Sequence, residues 1–177
     1  MQAWLNGGPK ASGGDWIWAP QGTIAGGVGA NGSEVRFADL NADDRADYIV
    51  VNGNSSVQAW VNGGPKASGG DWIWAPQGTI AGGVGANGSE VRFADLTGDR
   101  RADFLVVHDN SSVDYWINGG PKPSGGDWMW APQGTTASGV LVAGSRIQFA
   151  DINADKRADY LDVDPANGAT RAWLNTP

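Results

Sequence analysis

The sequence predicts an all-β fold of repeated four-stranded antiparallel blades, the architecture of a β-propeller. Three observations support this: a 56-residue internal repeat, short runs of alternating or β-branched residues, and clusters of Gly, Asn, Ser and Pro between those runs. No window of ten or more residues shows the apolar period of an amphipathic helix. Four-stranded units that recur about every 40–60 residues are typical of propeller blades.

The repeat is clearest in a motif that contains a tryptophan, an asparagine and two glycines. The motif begins at Gln2 and returns 56 residues later at Gln58 and again at Asp114, and a partial copy follows from Arg171. The first two copies differ at eight of their 56 positions. We therefore expect one repeat domain over 1–177, with units at 2–57, 58–113 and 114–170 and a partial fourth unit at 171–177.

Each unit carries four runs that are typical of strands. They are an alternating run at 35–40, a β-branched run at 48–52, a second alternating run at 57–61 and a tryptophan-containing run at 72–80. This arrangement predicts three blades per chain, and propellers typically close with about four to eight. Because an open blade edge promotes aggregation, we expect self-association, most simply a homodimer that closes a six-bladed ring. A fragment of a longer ring is the alternative.

Composition and charge exclude several functional classes. The 177 residues include no cysteine and one histidine, which excludes disulfides, thiolate metal sites and histidine-rich metal sites. A net charge of −7 argues against a nucleic-acid partner, which requires a basic patch. No apolar run is long enough to span a bilayer, so membrane insertion is not expected, and the first residues lack the features of a signal peptide. The notable polar residues occur in triplicate, which argues against an enzyme.

An acidic loop between the first and second strands of each unit is the strongest chemical signal. Its pattern is Asp-x-Asn/Thr-x-Asp-x-Arg-Ala-Asp, and nine of the 19 acidic residues belong to it. The loop offers side-chain oxygens at positions 1, 3, 5 and 9 and a backbone carbonyl at position 7. This set suits Ca²⁺, which takes about six to eight oxygen ligands. We expect about one Ca²⁺ per repeat, at Asp39, Asn41, Asp43, Arg45 and Asp47, at Asp95, Thr97, Asp99, Arg101 and Asp103, and at Asp151, Asn153, Asp155, Arg157 and Asp159.

A second interpretation of this loop needs no metal. An aspartate-rich turn can be held by hydrogen bonds from its own backbone to its side chains. Position 6 is Asp44, Arg100 or Lys156, where a sharp loop with positive φ favours glycine. Thr97 is a poorer ligand than the asparagines at the same position, so the second site is expected to be the weakest.

The run from Phe37 through Val51, followed by the tryptophan motif from Val57, resembles the FG-GAP/VCBS repeats, which are integrin-α-like propeller repeats. The resemblance extends over the whole chain. It implies a propeller with calcium-binding loops at the three acidic segments. The family commonly has glycine at position 6 of the loop and usually builds seven-bladed rings. An extracellular, secreted setting is expected because the millimolar calcium there saturates even weak loops.

All ten tryptophans fall at three equivalent positions of the repeat. The position on the third strand is expected to pack one blade against the next. The two positions on the outer strand lie beside an aspartate, a composition typical of sugar-binding sites. The candidate carbohydrate-binding residues are Asp15, Trp16, Trp18, Asp71, Trp72, Trp74, Asp127, Trp128 and Trp130. The competing interpretation is that these rings cover a core.

The sequence therefore favours a calcium-binding propeller that acts as a carbohydrate-binding, lectin-like module with a glycan as partner. The alternative is a non-catalytic structural or protein-interaction propeller, or an engineered symmetric scaffold, which the near-identity of the first two units favours. One residue departs from the repeat in a way that bears on the fold. Asp162 stands where the other units have Val50 and Val106, so it is expected to face solvent or to belong to a different edge.

Overall fold

The computed structural model describes residues 1–67, 72–123 and 127–176, and these form an all-β chain. No helix in these ranges has the length and apolar character needed to cross a membrane. Short 3-10 turns lie at Gly32–Glu34, Gly88–Glu90 and Gly144–Arg146. The strands are β1 (Gln2–Pro9), β2 (Trp16–Thr23), β3 (Val35–Ala38), β4 (Asp47–Val51), β5 (Val57–Pro65), β6 (Trp72–Ala81), β7 (Val91–Ala94), β8 (Asp103–Val107), β9 (Val113–Pro121), β10 (Trp128–Ala137), β11 (Ile147–Ala150), β12 (Asp159–Val163) and β13 (Thr170–Trp173).

The strands form four antiparallel sheets in which each strand pairs with its neighbours in sequence. Strands β3–β6 make the first full blade, and β7–β10 make the second full blade. Strands β1 and β2 form a two-stranded first sheet, and β11–β13 form a three-stranded last sheet. The predicted four-stranded blades are confirmed. In the described ranges they amount to two full blades flanked by two incomplete sheets.

The third strand of each full blade is longer than the sequence predicts. β5 continues to Pro65 through a glycine pair that was expected to lie in a loop. The glycines allow the adjacent strand to come close, because a Cβ on Gly63 would lie 2.9 Å from the Ile73 side chain. Gly64 has a φ of +80°, and the register shifts between Asn62 and Pro65. The segment is thus a bulged continuation of the strand.

Each full blade is centred on one aromatic ring of its second strand, and all five residues of that strand are buried. This central ring makes edge-to-face contacts with one ring from each of the other three strands, at centroid distances of 5.5–5.9 Å. The last sheet repeats the pattern with two partners only. The groups are Tyr48 with Phe37, Trp60 and Trp74, Phe104 with Phe93, Trp116 and Trp130, and Tyr160 with Phe149 and Trp173.

The outer-strand tryptophans connect successive sheets. The indole N–H of Trp74 donates to the carbonyl of Ile24, and that of Trp130 donates to the carbonyl of Ile80, each at 2.7 Å. Trp128 is 3% exposed and belongs to a buried cluster that spans both full blades. Each blade therefore uses its outer strand to contact the preceding sheet.

Candidate functional site

The first aspartate of each acidic loop organises the loop around its own carboxylate. Asp39 Oδ1 accepts the backbone N–H groups of Asn41, Ala42 and Asp43, and its Oδ2 accepts that of Asp44 at 2.8 Å. Asp95 and Asp151 accept equivalent N–H groups in the other two loops. The loop is thus held by the turn chemistry that the metal-free interpretation describes.

Position 6 of the loop adopts the backbone conformation that the sequence predicts. Asp44, Arg100 and Lys156 have φ values of 65°, 74° and 72°. Position 4 also has positive φ, at Ala42, Gly98 and Ala154, which the sequence analysis did not predict. Non-glycine residues adopt this left-handed conformation at a cost in free energy, so the hydrogen bonds to the first aspartate must offset that cost.

The last aspartate of each loop is buried and ties the loop to the third strand of its blade. Asp47 accepts the backbone N–H of Leu40 and that of Asn62, both at 2.9 Å. The same pair of bonds recurs in the other two units, from Leu96 and Asn118 to Asp103 and from Ile152 and Asn175 to Asp159. Sequence reasoning missed these asparagines, although each recurs in the tryptophan motif.

Neighbouring carboxylates disfavour the ionised form of the buried aspartate in the second loop, Asp103. Burial raises the pKa of Asp103 to about 6, against the opposing effect of the N–H groups of Asn118 and Leu96. The charges of Asp99 and Asp95 contribute a smaller part of the same rise. The first, fifth and ninth positions of the loop therefore repel one another electrostatically when all three are ionised.

The fifth position is bonded to the backbone of the seventh. The backbone N–H groups of Arg45, Arg101 and Arg157 donate to Asp43, Asp99 and Asp155, each at 2.9 Å. The N–H of Arg157 lowers the pKa of Asp155, as does the amide of Asn153. The ionised form of the Asp155 carboxylate is thus favoured.

The loop residues fit a hard cation by donor type more than by present arrangement. Carboxylate, amide and carbonyl oxygens are the ligands that Ca²⁺ prefers. Across the described ranges, no three His, Cys, Asp or Glu side chains are gathered as a metal-ligating group. The carboxylates retain spare lone pairs, because each ionised oxygen can accept more than one bond. A cation would share these oxygens with the backbone N–H groups.

The loops also contact the next repeat along the chain. The carbonyl of Asp39 accepts the N–H of Ala102, and that of Asp95 accepts the N–H of Ala158, both at 2.7 Å. The Arg100 guanidinium pairs with Asp44 between the first and second loops. The order of each loop is therefore coupled to the contact between sheets.

A family model, described as an FG-GAP-like repeat, matches residues 39–106. The matched segment runs from the first acidic loop to the central strand of the second full blade. Residues 39–106 are thus similar to an FG-GAP-like repeat. No curated protein and no solved structure matched the sequence.

The outer-strand tryptophans differ in exposure from one sheet to another. Trp16 and Trp18 are 52% and 57% exposed. With Asp15, Asn6 and Gly14 they line an open cavity of about 630 Å³. This cavity places two aromatic faces beside a carboxylate, as the sequence analysis anticipated for a sugar site.

In the full blades the equivalent rings are less exposed. Trp72, Trp74 and Trp130 are partly buried, and Trp128 is buried. Asp127 is exposed and lines a shallow cavity of about 360 Å³ with Trp128 and Trp130. The candidate Asp71 lies outside the described residues. These placements give the rings of the full blades a packing role that the competing interpretation predicted.

The expectation that Asp162 faces solvent or belongs to a different edge is wrong. Asp162 is 1% exposed, and it lies opposite Ile147 in the last sheet. Ile147 is the residue equivalent to Val35 of the first full blade. Its carboxylate accepts bonds from Arg146 and Arg171, each as close as 2.6 Å, and Arg171 first and Arg146 next lower its pKa. These arginines replace residues of different type in the other units, so three substitutions in and beside the last sheet compensate one another.

Proposed function

We propose that this chain is a non-catalytic, calcium-binding propeller module of the FG-GAP-like kind, in which the cations stabilise the blades. The observation that carries the proposal is the acidic loop itself, in which burial first, and the charges of Asp99 and Asp95 after it, raise the pKa of Asp103 to about 6. A divalent cation among Asp95, Asp99 and Asp103 would relieve that repulsion and lower the pKa again.

The first loop would hold its cation through Asp39, Asn41, Asp43 and Asp47, with the backbone carbonyl of Arg45. The other two loops would use the equivalent residues. The cation supplies positive charge and a crosslink between segments of the loop. Because each of the first two loops also accepts a hydrogen bond from the next repeat, calcium would strengthen contacts between sheets as well as the loop itself. An extracellular setting belongs to this proposal, since millimolar calcium would fill weak sites.

The non-catalytic part of the proposal is supported by the use of the recurrent polar groups. The buried carboxylates of Asp47, Asp103 and Asp159 each accept two backbone N–H groups. The paired asparagines donate to backbone carbonyls. Side chains that are engaged in this way serve the fold in all three units.

Thermal unfolding tests the calcium proposal. Protein stripped with EDTA should melt at a lower temperature than the same protein in millimolar CaCl₂, and MgCl₂ should restore less of the difference. The shift should shrink in Asp99→Asn, which retains the oxygen that accepts the Arg101 N–H. Asp109→Asn is the matched control, because Asp109 is exposed and lies outside the acidic loops. Equal melting temperatures in EDTA and calcium would refute the proposal.

Carbohydrate binding is a second candidate, favoured by the open cavity at Asp15, Trp16 and Trp18. Exposed indole rings stack on the apolar faces of sugars, and the carboxylate can accept bonds from hydroxyl groups. A glycan array should then give binding that Trp18→Ala abolishes and Trp4→Ala preserves, since both rings are exposed. A blank array at high protein concentration would refute this candidate.

A further inference from the structure

We propose that Trp16 and Trp18 of a second copy of this chain insert into the cavity between the second full blade and the last sheet. In this arrangement, β2 of the second copy pairs with β13 of the chain that holds the cavity. This assembly goes beyond the calcium proposal and does not depend on it. It specifies the residues through which the self-association expected from the sequence would occur.

The receiving site is a cavity of about 720 Å³ between the second full blade and the last sheet. It is among the largest openings in the described part of the chain, and both apolar and polar groups line it. The lining residues that the argument uses are Leu96, Thr136, Ala158, Tyr160 and Trp173.

The internal repeat identifies what fills the first part of this cavity. Trp128 lies in the buried cluster that also contains Leu40 and Ala102. One repeat further along, the residues equivalent to these two are Leu96 and Ala158, and both line the open cavity. The ring that corresponds to Trp128 would therefore occupy this part, and Trp16 is that ring in the first sheet.

The same comparison identifies the second ring. Trp130 lies 5.8 Å from the Phe104 ring centroid and donates its indole N–H to the carbonyl of Ile80. One repeat further along, the equivalents of these partners are Tyr160 and Thr136, which also line the cavity. Trp18 of a second copy would contact Tyr160 and donate to the Thr136 carbonyl.

The donor side is accessible in the single chain. Trp16 and Trp18 are more than half exposed, whereas Trp128 is 3% exposed at the equivalent position of a full blade. Burying two such rings removes a large apolar area from water, and each buried aromatic ring contributes strongly to an interface. The open cavity thus offers ring contacts and a carbonyl acceptor to the exposed indole rings.

Strand pairing supports the same arrangement. Asn62 lies opposite Trp74 in the first full blade, and Asn6 lies opposite Trp18 in the first sheet. Asn175 occupies this position in the last sheet and is already bonded to Asp159, as Asn62 is to Asp47. Pairing of β13 with the β2 strand of a second copy, with β1 displaced, gives the last sheet the four strands of a full blade.

Reciprocal insertion makes a closed, two-fold symmetric assembly. Each chain then has its two full blades and a third blade completed by its partner, which gives six blades for two chains. Closed two-fold dimers are the commonest symmetric oligomers, and completing the sheet removes an exposed edge.

Light scattering on residues 1–177, in EDTA and in calcium, tests the proposal. The mass should be twice the 18.4 kDa of one chain, and the double variant Trp16→Ala/Trp18→Ala should be monomeric with an unchanged circular dichroism spectrum. Trp4→Ala is the matched control, because Trp4 is 53% exposed on the displaced strand, and it should leave the mass unchanged.

A crosslinking experiment locates the contact. Mixed Trp18→Cys and Thr136→Cys proteins should form a disulfide-linked heterodimer on mild oxidation, and Trp4→Cys with Thr136→Cys should form none. A monomeric wild-type protein at all concentrations, or a mass that the tryptophan variant does not change, would overturn the proposal. Sugar binding by a monomer that requires Trp18 would overturn it in favour of the carbohydrate site.

Discussion

Trp18 and Trp130 occupy the same position of the repeat, yet they have different surroundings. Trp130 is partly buried, packs on Phe104 and donates to the preceding blade, whereas Trp18 is 57% exposed. The difference comes from the neighbours, because each outer strand is buried by the sheet that precedes it. The repeat sequence therefore encodes a surface for packing, and a preceding sheet decides whether that surface is covered.

The acidic loops show the same dependence on neighbours. The backbone carbonyls of Asp39 and Asp95 accept N–H groups from the following repeat, and the residues at positions 1 and 3 of these loops are partly buried. In the third loop Asp151, Asn153 and Asp155 are exposed. One loop pattern thus occurs in a covered form and in an open form within a single chain.

The largest expected effect contrasts the two tryptophans. Trp130→Ala should lower the free energy of unfolding by about 3 kcal/mol, because it removes a packed ring and leaves the Ile80 carbonyl without its donor. In monomeric protein, Trp18→Ala should change it by less than about 0.5 kcal/mol. Urea unfolding of both variants at low protein concentration measures the contrast, and equal losses would show that neighbours do not decide the role of the ring.

The second largest expected effect is the pH dependence of stability that Asp103 contributes in the second loop. The pKa of Asp103 is about 6 in the folded protein against 3.8 for an ordinary aspartate, so the folded state binds more protons between these values. Without calcium, the stability that Asp103 contributes should be highest below about pH 4. It should fall by about 2 kcal/mol as the pH rises through about 6. Urea unfolding in EDTA between pH 4 and 7 measures the slope.

The sign of this slope separates Asp103 from the paired carboxylates. Asp162 has a lowered pKa because of Arg171 and Arg146, so its contribution is present above the unfolded pKa and is lost in stronger acid. The two groups therefore act in different pH windows. A stability that rises steadily from pH 4 to 7 in EDTA would contradict the role given to Asp103.

Much of this contrast follows from the sequence, and the rest depends on long-range packing. The 56-residue period and the alternating runs correctly predict four-stranded blades, and the positive φ at position 6 follows from the sharp loop. The pairing of Asp47 with Asn62 could not be predicted, because it joins residues 15 apart across two strands. The burial of Asp162 was missed because its arginine partners lie on two other segments.

The smallest effect concerns the last sheet. Asp162→Val should cost about 1 kcal/mol, because it leaves Arg146 and Arg171 without their carboxylate partner while both arginines keep some contact with solvent. The triple variant Arg146→Glu/Asp162→Val/Arg171→Gln gives the last sheet the residues of the first full blade, Glu34, Val50 and Gln58, and should unfold within about 0.5 kcal/mol of the wild type. Additive losses in the triple variant would show that the three substitutions are independent.

Calorimetric titration of calcium into EDTA-stripped, dialysed protein measures directly whether the acidic loops are calcium sites. We expect about three sites per chain, with the Thr97 loop the weakest. Asp155→Asn should lose one site, and Asp109→Asn should lose none. A titration with no binding heat at any temperature tried, and no change in melting temperature on adding calcium, would show that the loops do not bind calcium.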